Sequence, residues 1–375
     1  MLVLVAAILL LSSFALSAAL TAIVKELAAR VRFVAHPAAD RYHRTVVSLG
    51  GGIAIFTTMA VVILTGVAVA RLLIAPGHLD RLGESVTVHA PGFLSKTGQL
   101  LIVLLCVFTL FAIGLWDDKK HLGPFFKLAV QFAVAIIAAS VAEVRVDFFI
   151  ENKIITSVLS AVWIVLIINA FNFLDNMDGL AAGIAVIATS ILFAASALSA
   201  ALSGEDFQVF VGGLAIIFVG TLLGFLVFNF PPAKIFMGDA GSLVVGFFVA
   251  LLTLRTTYYY QDAQSGQWYA VFMPLVVMAV PLYDFISVTL LRISQGKSPF
   301  VGDTQHFSHR LKRHGLTDTQ TVLTLYLATL CTGLGATFLY QVNLAGAILI
   351  FIQTIMVLVI IAVFETTAKD DETLN

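Results

Sequence analysis

Apolar stretches as long as a membrane-spanning helix recur along this chain and constrain its fold more than any other feature. A helix needs about 20 mostly apolar residues to cross a bilayer, and eleven stretches approach or exceed that length. They comprise residues 2–24, 48–70, 98–116, 124–142, 155–173, 179–202, 209–228, 239–254, 269–291, 320–339 and 343–364. We therefore predict an all-α integral membrane protein, a bundle of about eleven transmembrane helices.

The composition agrees with one membrane domain. Hydrophobic residues make up 60% of the 375 residues and charged residues 11%, which is more apolar surface than one soluble core of this size can bury. No internal repeat divides the chain, so we predict a single polytopic domain over residues 1–364 and a short polar cytoplasmic tail over residues 365–375. The net charge of −1 offers no basic surface for nucleic acid, and the lipid bilayer is the predicted environment.

The Lys and Arg residues are divided unevenly between the two predicted sides of the membrane. If the loop at residues 25–47 is cytoplasmic, 15 of the 21 Lys and Arg residues lie on its side and 6 on the other. Cytoplasmic loops carry such an excess. We therefore predict that the N-terminus is outside, that the C-terminus is inside, and that the most polar loops face the cytoplasm.

A pair of acidic residues ends the third predicted span. Asp117 and Asp118 are adjacent, so on a helix they point about 100° apart and would face two different ligands. The alternative is a solvated helix end. Lys127 follows within the apolar segment PFFKLAVQF, where an uncompensated ammonium group is costly. We expect Lys127 to face an anion or a carboxylate.

The segment NAFNFLDNMDGLAAG, residues 169–183, follows an apolar run with five amides and carboxylates. Asn169, Asn172 and Asn176 share one helical face, with Asp175 beside it. Oxygen ligands in such a stripe suit a hard cation or the polar edge of a sugar or base. The alternative is helix-end capping, with Asp178 as the N-cap of the next span.

Two further predicted inner loops carry polar residues. In FNFPPAKIFMGDAGS, residues 228–242, Asp239 either caps a helix or binds a metal ion that carries phosphates, and Phe236 either packs at the interface or stacks on a base. The last loop contains His306, His309 and Arg310. Attraction to anionic lipid and a zinc site are alternatives there, but a phosphate clamp fits better opposite acidic loops.

Taken together, these blocks resemble the polyprenyl-phosphate N-acetylhexosamine-1-phosphate transferases, bacterial cell-envelope enzymes of the glycosyltransferase 4 type. The matching blocks are DDKKHLGPFFKLAVQ (117–131), NAFNFLDNMDGLAAG (169–183), FNFPPAKIFMGDAGS (228–242) and DTQHFSHRL (303–311). The resemblance implies a bundle of ten or eleven helices in the bacterial cytoplasmic membrane, with the active site on the cytoplasmic face. A homodimer is a further prediction, although the sequence does not determine the oligomeric state.

The resemblance also implies a reaction and its cofactor. The expected enzyme transfers a sugar 1-phosphate, with GlcNAc-1-phosphate favoured, from a UDP-N-acetylhexosamine to undecaprenyl phosphate and releases UMP. The lipid-diphosphate-linked sugar would serve cell-envelope polysaccharide synthesis. Mg²⁺ is the implied cofactor, and Mn²⁺ is an alternative ion.

Roles for individual residues follow from the resemblance. Asp239 and Asn172 would bind the metal ion, and Phe236 would stack on uracil. The predicted catalytic residues are Asp117, Asp118 and Asp239; the first two would face the lipid phosphate and the metal, with Asp117 as an orienting or proton-accepting group. The expected nucleotide and substrate contacts are Lys127, Asn169, Asp175, Asp178, Phe236, His306, His309 and Arg310.

Two residues depart from the family pattern. Asn176 stands where D-G-x-D-G has Gly, and we expect the turn to survive because Asn tolerates the left-handed conformation. Ser308 stands where the GlcNAc-type loop has another His, and the loop lacks the His-His-His run of the phospho-N-acetylmuramoyl-pentapeptide transferases. The missing run disfavours the pentapeptide transferase reaction, which remains the alternative for the sugar.

A membrane transporter is the alternative from another class. It would account for the spans and for Asp284, an acidic residue inside a span. Transporters, however, hold their polar groups near the bilayer midplane on broken helices. In this chain the polar residues gather at one predicted surface, so the sequence favours the transferase.

Overall fold

Helices form most of the described part of this protein. A computed structural model describes residues 1–35, 46–77, 87–146, 150, 152–203, 207–256, 268–298, 307–313 and 315–367. Its helices are α1 (Leu2–Arg30), α2 (Gly51–Val69), α3 (Ala90–Ser95), α4 (Thr97–Lys120), α5 (Pro124–Ser140), α6 (Lys153–Leu174), α7 (Leu180–Ser203), α8 (Val209–Asn229), α9 (Gly238–Thr256), α10 (Met273–Val277), α11 (Ala279–Ser294), α12 (Phe307–Arg313), α13 (Asp318–Ala336) and α14 (Leu344–Thr367). A π-helical turn, Ala70–Ile74, continues α2, and a 3₁₀ turn, Trp268–Phe272, precedes α10.

Among the described residues, eight helices are long and apolar enough to cross a membrane. They are α1, α2 with its π-helical turn, α4, α6, α7, α8, α9 and α14. The segments Trp268–Val277 and Ala279–Ser294, bent by 66°, make a ninth span if they are counted as one. The all-α membrane architecture is confirmed. The count of eleven stays a prediction, because α5, with 17 residues, and α13 are not among the eight. The orientation of the chain in the membrane also stays a prediction.

Helix α9 lies at the centre of the bundle. It packs against α2, α4, α6 and α7, and every residue from Ala240 to Leu254 is buried. This stretch carries no charged residue, and other helices, rather than lipid, cover its apolar faces. The first turn of α9, with Asp239, is therefore held by the surrounding helix ends.

A small sheet lies next to the start of α9. Its strands are β1 (Val34–Ala35), β2 (Val47–Leu49) and β3 (Ile235–Phe236). β1 and β2 are antiparallel, and β2 pairs in parallel with β3, with Leu49 opposite Phe236. We did not predict this sheet, because strands of two or three residues are too short for a detectable alternation. It brings the segment before α2 beside the loop that leads to Asp239.

Close approach of backbones around α9 depends on two glycines. A Cβ on Gly114 of α4 would lie 2.6 Å from Ala240 Cα, and one on Gly52 of α2 would lie 2.3 Å from Gly241 N. Real Cβ atoms essentially never come within 3.0 Å of such atoms. The two helices therefore touch the first turn of α9 at positions where only hydrogen fits.

We expect Gly114→Ala to destabilise the protein, because the added methyl group pushes α4 away from α9. Overpacking of this kind costs about 1–3 kcal/mol, so the thermal midpoint in detergent should fall by several degrees. Gly98→Ala on the same helix is the control, because a Cβ there meets nothing within 4 Å. Equal midpoints for the two variants would contradict the close approach of α4 and α9.

Candidate active site

The ammonium group of Lys127 lies between two carboxylates from different helices. Its Nζ is 2.9 Å from Asp117 Oδ2 at the end of α4, and it also bonds Asp239 Oδ2 in the first turn of α9. An uncompensated ammonium group in the apolar segment of α5 would be costly. The expectation that Lys127 faces a carboxylate is confirmed. Two anions around one cation leave a net negative charge, which favours a further cation nearby.

Asp117 is held through both of its carboxylate oxygens. While Oδ2 bonds Lys127, Oδ1 accepts a hydrogen bond of 2.5 Å from the Leu122 N–H. Leu122 lies in the link between α4 and α5, so this bond also ties the link to the end of α4. Asp117 is only 8% exposed. The contacts therefore favour the orienting role for Asp117 over the proton-accepting one.

Asp118 holds the start of α9. Its Oδ1 accepts a hydrogen bond from Asp239 N at 2.8 Å, and its Oδ2 accepts one from Ala240 N at 3.1 Å. Gly238 precedes them with φ +69°, and a Cβ there would lie 2.6 Å from Asp118 Oδ2. We predicted that Asp118 faces the lipid phosphate and the metal. In the structure its two oxygens satisfy backbone donors at the end of a helix and so position Asp239.

Asn172 contacts the other oxygen of Asp239. Its Nδ2 donates to Asp239 Oδ1 at 3.0 Å and to Ser242 Oγ at 2.9 Å. The sequence predicted that Asn172 and Asp239 act together, and the structure brings them into contact. Ser242 was missed, although it lies three residues after Asp239 and therefore on the same face of α9. Asp239 is thus bonded by residues of three helices: Asp118 of α4, Lys127 of α5 and Asn172 of α6.

Two amide side chains, from α5 and α6, contact each other one helical turn from the ion pairs. Asn169 Nδ2 donates to Gln131 Oε1 at 2.6 Å and to Val165 O at 2.8 Å. Gln131 is buried and stands four residues after Lys127 on α5, so the two share a face. The pair fixes α5 against α6 one turn from the ion pairs. In these contacts Asn169 supports the site from behind.

The loops around residues 178 and 233 are joined by side-chain hydrogen bonds. Asp178 Oδ2 accepts from Ala233 N at 2.8 Å. Asn229 is buried and bridges the same loops, because its Oδ1 accepts from Gly179 N at 3.1 Å and its Nδ2 donates to Ile235 O at 2.9 Å. Asn229 was not among the predicted site residues. The sequence feature that could have indicated Asn229 is its position as an amide at the end of an otherwise apolar span.

Asp175 lies in an electrostatically strained position just after α6. Burial raises its pKa well above the usual value, and the negative charges of Asp239, Asp118 and Asp178 raise it further. A raised pKa means that the charged form of this carboxyl group is disfavoured. Added positive charge would oppose the contribution of these negative charges, so the surroundings of Asp175 also favour a cation.

Two of the remaining predicted residues, Phe236 and Arg310, lie in described elements. Phe236 ends β3, two residues before α9 begins. Arg310 lies on α12, and its Nη2 donates to Ser287 Oγ of α11 at 3.2 Å. The backbone of His309 belongs to α12, but its side chain and the whole of His306 lie outside the described residues. The roles of all four residues in binding substrate stay predictions.

We expect Asn229→Ala to weaken the site without unfolding the protein. The change leaves the Gly179 N–H and the Ile235 carbonyl without their side-chain partner, which costs about 1–3 kcal/mol for buried groups. The thermal midpoint in detergent should fall by several degrees. Asn343→Ala is the control, since Asn343 is exposed and accepts one bond, from Gly346 N. A larger loss for Asn343→Ala would contradict the bridging role of Asn229.

Comparisons with known proteins match the part of the chain that carries these site residues. A family model described as glycosyl transferase family 4 matches residues 100–257, the range that contains the ion pairs of Lys127. A Bacillus subtilis (strain 168) protein named "Probable undecaprenyl-phosphate N-acetylglucosaminyl 1-phosphate transferase" is 30% identical over 351 residues, which cover 92% of this chain and 87% of the relative.

Relatives from other bacteria carry similar names. A decaprenyl-phosphate N-acetylglucosaminephosphotransferase of Mycobacterium tuberculosis (strain ATCC 25618 / H37Rv) is 30% identical over 320 residues, covering 81% of this chain and 75% of the relative. An undecaprenyl-phosphate alpha-N-acetylglucosaminyl 1-phosphate transferase of Salmonella typhi is 27% identical over 349 residues, covering 88% and 83%. Together with the family model, these similarities show that the chain belongs to glycosyl transferase family 4.

Proposed function

We propose that this protein transfers GlcNAc-1-phosphate from UDP-GlcNAc to undecaprenyl phosphate and releases UMP. The names of the relatives support the polyprenyl phosphate acceptor and the GlcNAc group. The observation that carries the proposal is the Lys127 ammonium group between Asp117 and Asp239, where the ends of three helices meet. The excess of Lys and Arg on the same predicted side supports a site on the cytoplasmic face of the bacterial cytoplasmic membrane.

The acceptor needs little activation. In the proposed step an oxygen of undecaprenyl phosphate attacks the phosphorus that carries the sugar, and the bond from that phosphorus to the UMP oxygen breaks. A phosphate monoester has a second pKa near 6, so the attacking oxygen is mostly ionised at neutral pH without a base. The transfer then depends on in-line positioning and on neutralisation of charge. The lipid tail of acceptor and product stays in the bilayer, which suits an enzyme built from spanning helices.

Lys127 supplies the fixed positive charge of the site. Its two carboxylate partners keep the ammonium group charged and limit its movement, so it can donate a hydrogen bond to a phosphate oxygen. Asp117 orients Lys127, and Asp118 fixes the backbone of Asp239 through two hydrogen bonds. In this account Asp117 and Asp118 act on other residues, and Lys127 and Asp239 act on the substrates.

The residues fit a Mg²⁺ site that substrate phosphates complete. Mg²⁺ is usually held by one or two carboxylates together with phosphate oxygens and water, and Asp239 with Asn172 beside it offers this kind of ligand set. In the described part of the chain no three His, Cys, Asp or Glu side chains form a metal site by themselves. Bound Mg²⁺, or Mn²⁺ in its place, would neutralise phosphate charge during transfer.

The alternatives have less support. The relatives are named for GlcNAc transfer, which favours that sugar over the muramoyl-pentapeptide. A transporter would need polar groups near the midplane, whereas the ion pairs here involve the last turn of α4 and the first turns of α5 and α9. A homodimer stays a prediction.

A direct assay of the purified protein tests the proposal. The protein is supplied with undecaprenyl phosphate, Mg²⁺ and one of UDP-GlcNAc, UDP-GalNAc or UDP-N-acetylmuramoyl-pentapeptide, and UMP and lipid product are measured. We expect UMP and a GlcNAc-diphosphate lipid from the first donor. EDTA should stop the reaction, and added Mg²⁺ or Mn²⁺ should restore it. Folded protein that releases no UMP from any donor would refute the proposal.

The variant Asp239→Asn tests the role of the negative charge at this position. It keeps the side chain's size but removes one anion beside Lys127, and we expect turnover to fall by about 100-fold or more, the usual scale for a preorganised electrostatic group. Glu143→Gln is the matched control, because Glu143 is a carboxylate after α5 that accepts a bond from Gln99 at 3.1 Å. Equal turnover of the two variants would remove Asp239 from the proposed metal site.

A further inference from the structure

The two residues that depart from the family pattern contact each other. Ser308 Oγ donates a hydrogen bond of 2.6 Å to Asn176 Oδ1. The bond joins α12 to the turn between α6 and α7 across 132 residues of sequence. Ser308 is completely buried, and Asn176 is partly buried. The departures therefore form one structural unit.

Asn176 is held in the right orientation by a second bond. Its Nδ2 donates to Phe173 O at 2.8 Å, in the last turn of α6, and this turns Oδ1 towards Ser308. A glycine at this position could make neither bond. The turn that contains Asn176 is present, but Asn176 does not take the left-handed conformation: among the described residues other than glycine, Arg32 and Glu143 are the ones with φ in the left-handed region. The left-handed residue of this turn is Gly179, with φ +71°.

Helix α12 is also attached to other parts of the fold. Arg310 Nη2 contacts Ser287 Oγ of α11 at 3.2 Å, and Lys312 Nζ pairs with Asp318 Oδ1 of α13 at 2.5 Å. Of these three contacts, the bond of Ser308 is the one made to the turn that carries Asp175 and Asp178. It therefore ties α12 directly to this turn.

We propose that Asn176 and Ser308 are a positioning pair that holds α12 against the nucleotide-sugar side of the active site before substrate arrives. This inference rests on the proposed function. A segment that is already ordered loses less conformational entropy when a ligand binds to it. The pair acts through α12 and touches no reacting atom, so its loss weakens binding of the nucleotide sugar more than it slows the chemical step.

A double-mutant cycle tests the pair. Ser308→Ala and Asn176→Gly each remove the bond, and each should raise KM for UDP-GlcNAc by about 3- to 10-fold, the scale of one net hydrogen bond, with kcat and KM for undecaprenyl phosphate nearly unchanged. The double variant should be no worse than the poorer single variant, because both changes remove the same bond. Effects that multiply in the double variant would overturn the inference.

A buried serine elsewhere provides the matched control. Ser160 on α6 is also completely buried, and its hydroxyl accepts from Val146 N at 2.8 Å, away from α12. Ser160→Ala should lower the thermal midpoint without changing KM. If it raised KM for UDP-GlcNAc as much as Ser308→Ala does, general destabilisation would explain the effect and the positioning role would be refuted.

Hydrogen exchange gives a readout that does not depend on activity. The backbone amides of residues 307–313 should exchange faster in Ser308→Ala and in Asn176→Gly than in the unchanged protein, while those of α9 should keep their rates. Unchanged exchange in α12 would overturn the positioning pair even if the enzyme is active. Absence of UMP release from the unchanged protein would refute the proposed function instead, and the exchange measurement would still decide the role of the pair.

Discussion

One ammonium group shared by two carboxylates is the interaction on which this site depends. Lys127 of α5 can reach both Asp117 of α4 and Asp239 of α9 only if the three helix ends lie at the same level. Removing one member of such a group leaves an uncompensated charge in an environment of low polarity, which is strongly destabilising. The ion pairs therefore fix the register of three helices, and the remaining contacts of the site are built around that register.

The central position of α9 follows from the same constraint. Other helices cover its apolar faces, and Gly114 allows α4 to approach its first turn closely. At that approach the two adjacent acids separate into two tasks: Asp117 bonds Lys127, and Asp118 accepts from the first backbone donors of α9. Asn172 completes the surroundings of Asp239. A single carboxylate is thereby presented in a defined orientation, next to a fixed positive charge.

Local sequence patterns predicted a large part of this arrangement, and distant contacts account for the rest. Hydrophobic length predicted the helices and the membrane class, and the cost of a buried ammonium group predicted that Lys127 faces a carboxylate. The capping role of Asp118 and the bridge made by Asn229 were not predictable, because their partners lie in other loops. The contact between Asn176 and Ser308 joins residues 132 positions apart. No periodicity in a single sequence reports such a pair.

The most direct test of the account is a structure of the protein determined by electron cryo-microscopy with UDP-GlcNAc and Mg²⁺ bound. The central claim is that Asp239 and Lys127 together bind the diphosphate of the nucleotide sugar, Asp239 through the metal ion and Lys127 directly. We predict metal density bound to a carboxylate oxygen of Asp239, with a phosphate oxygen of the nucleotide sugar within hydrogen-bond distance of Lys127 Nζ. Nucleotide and metal density without contact to either residue, or located at the opposite end of the bundle, would contradict the claim.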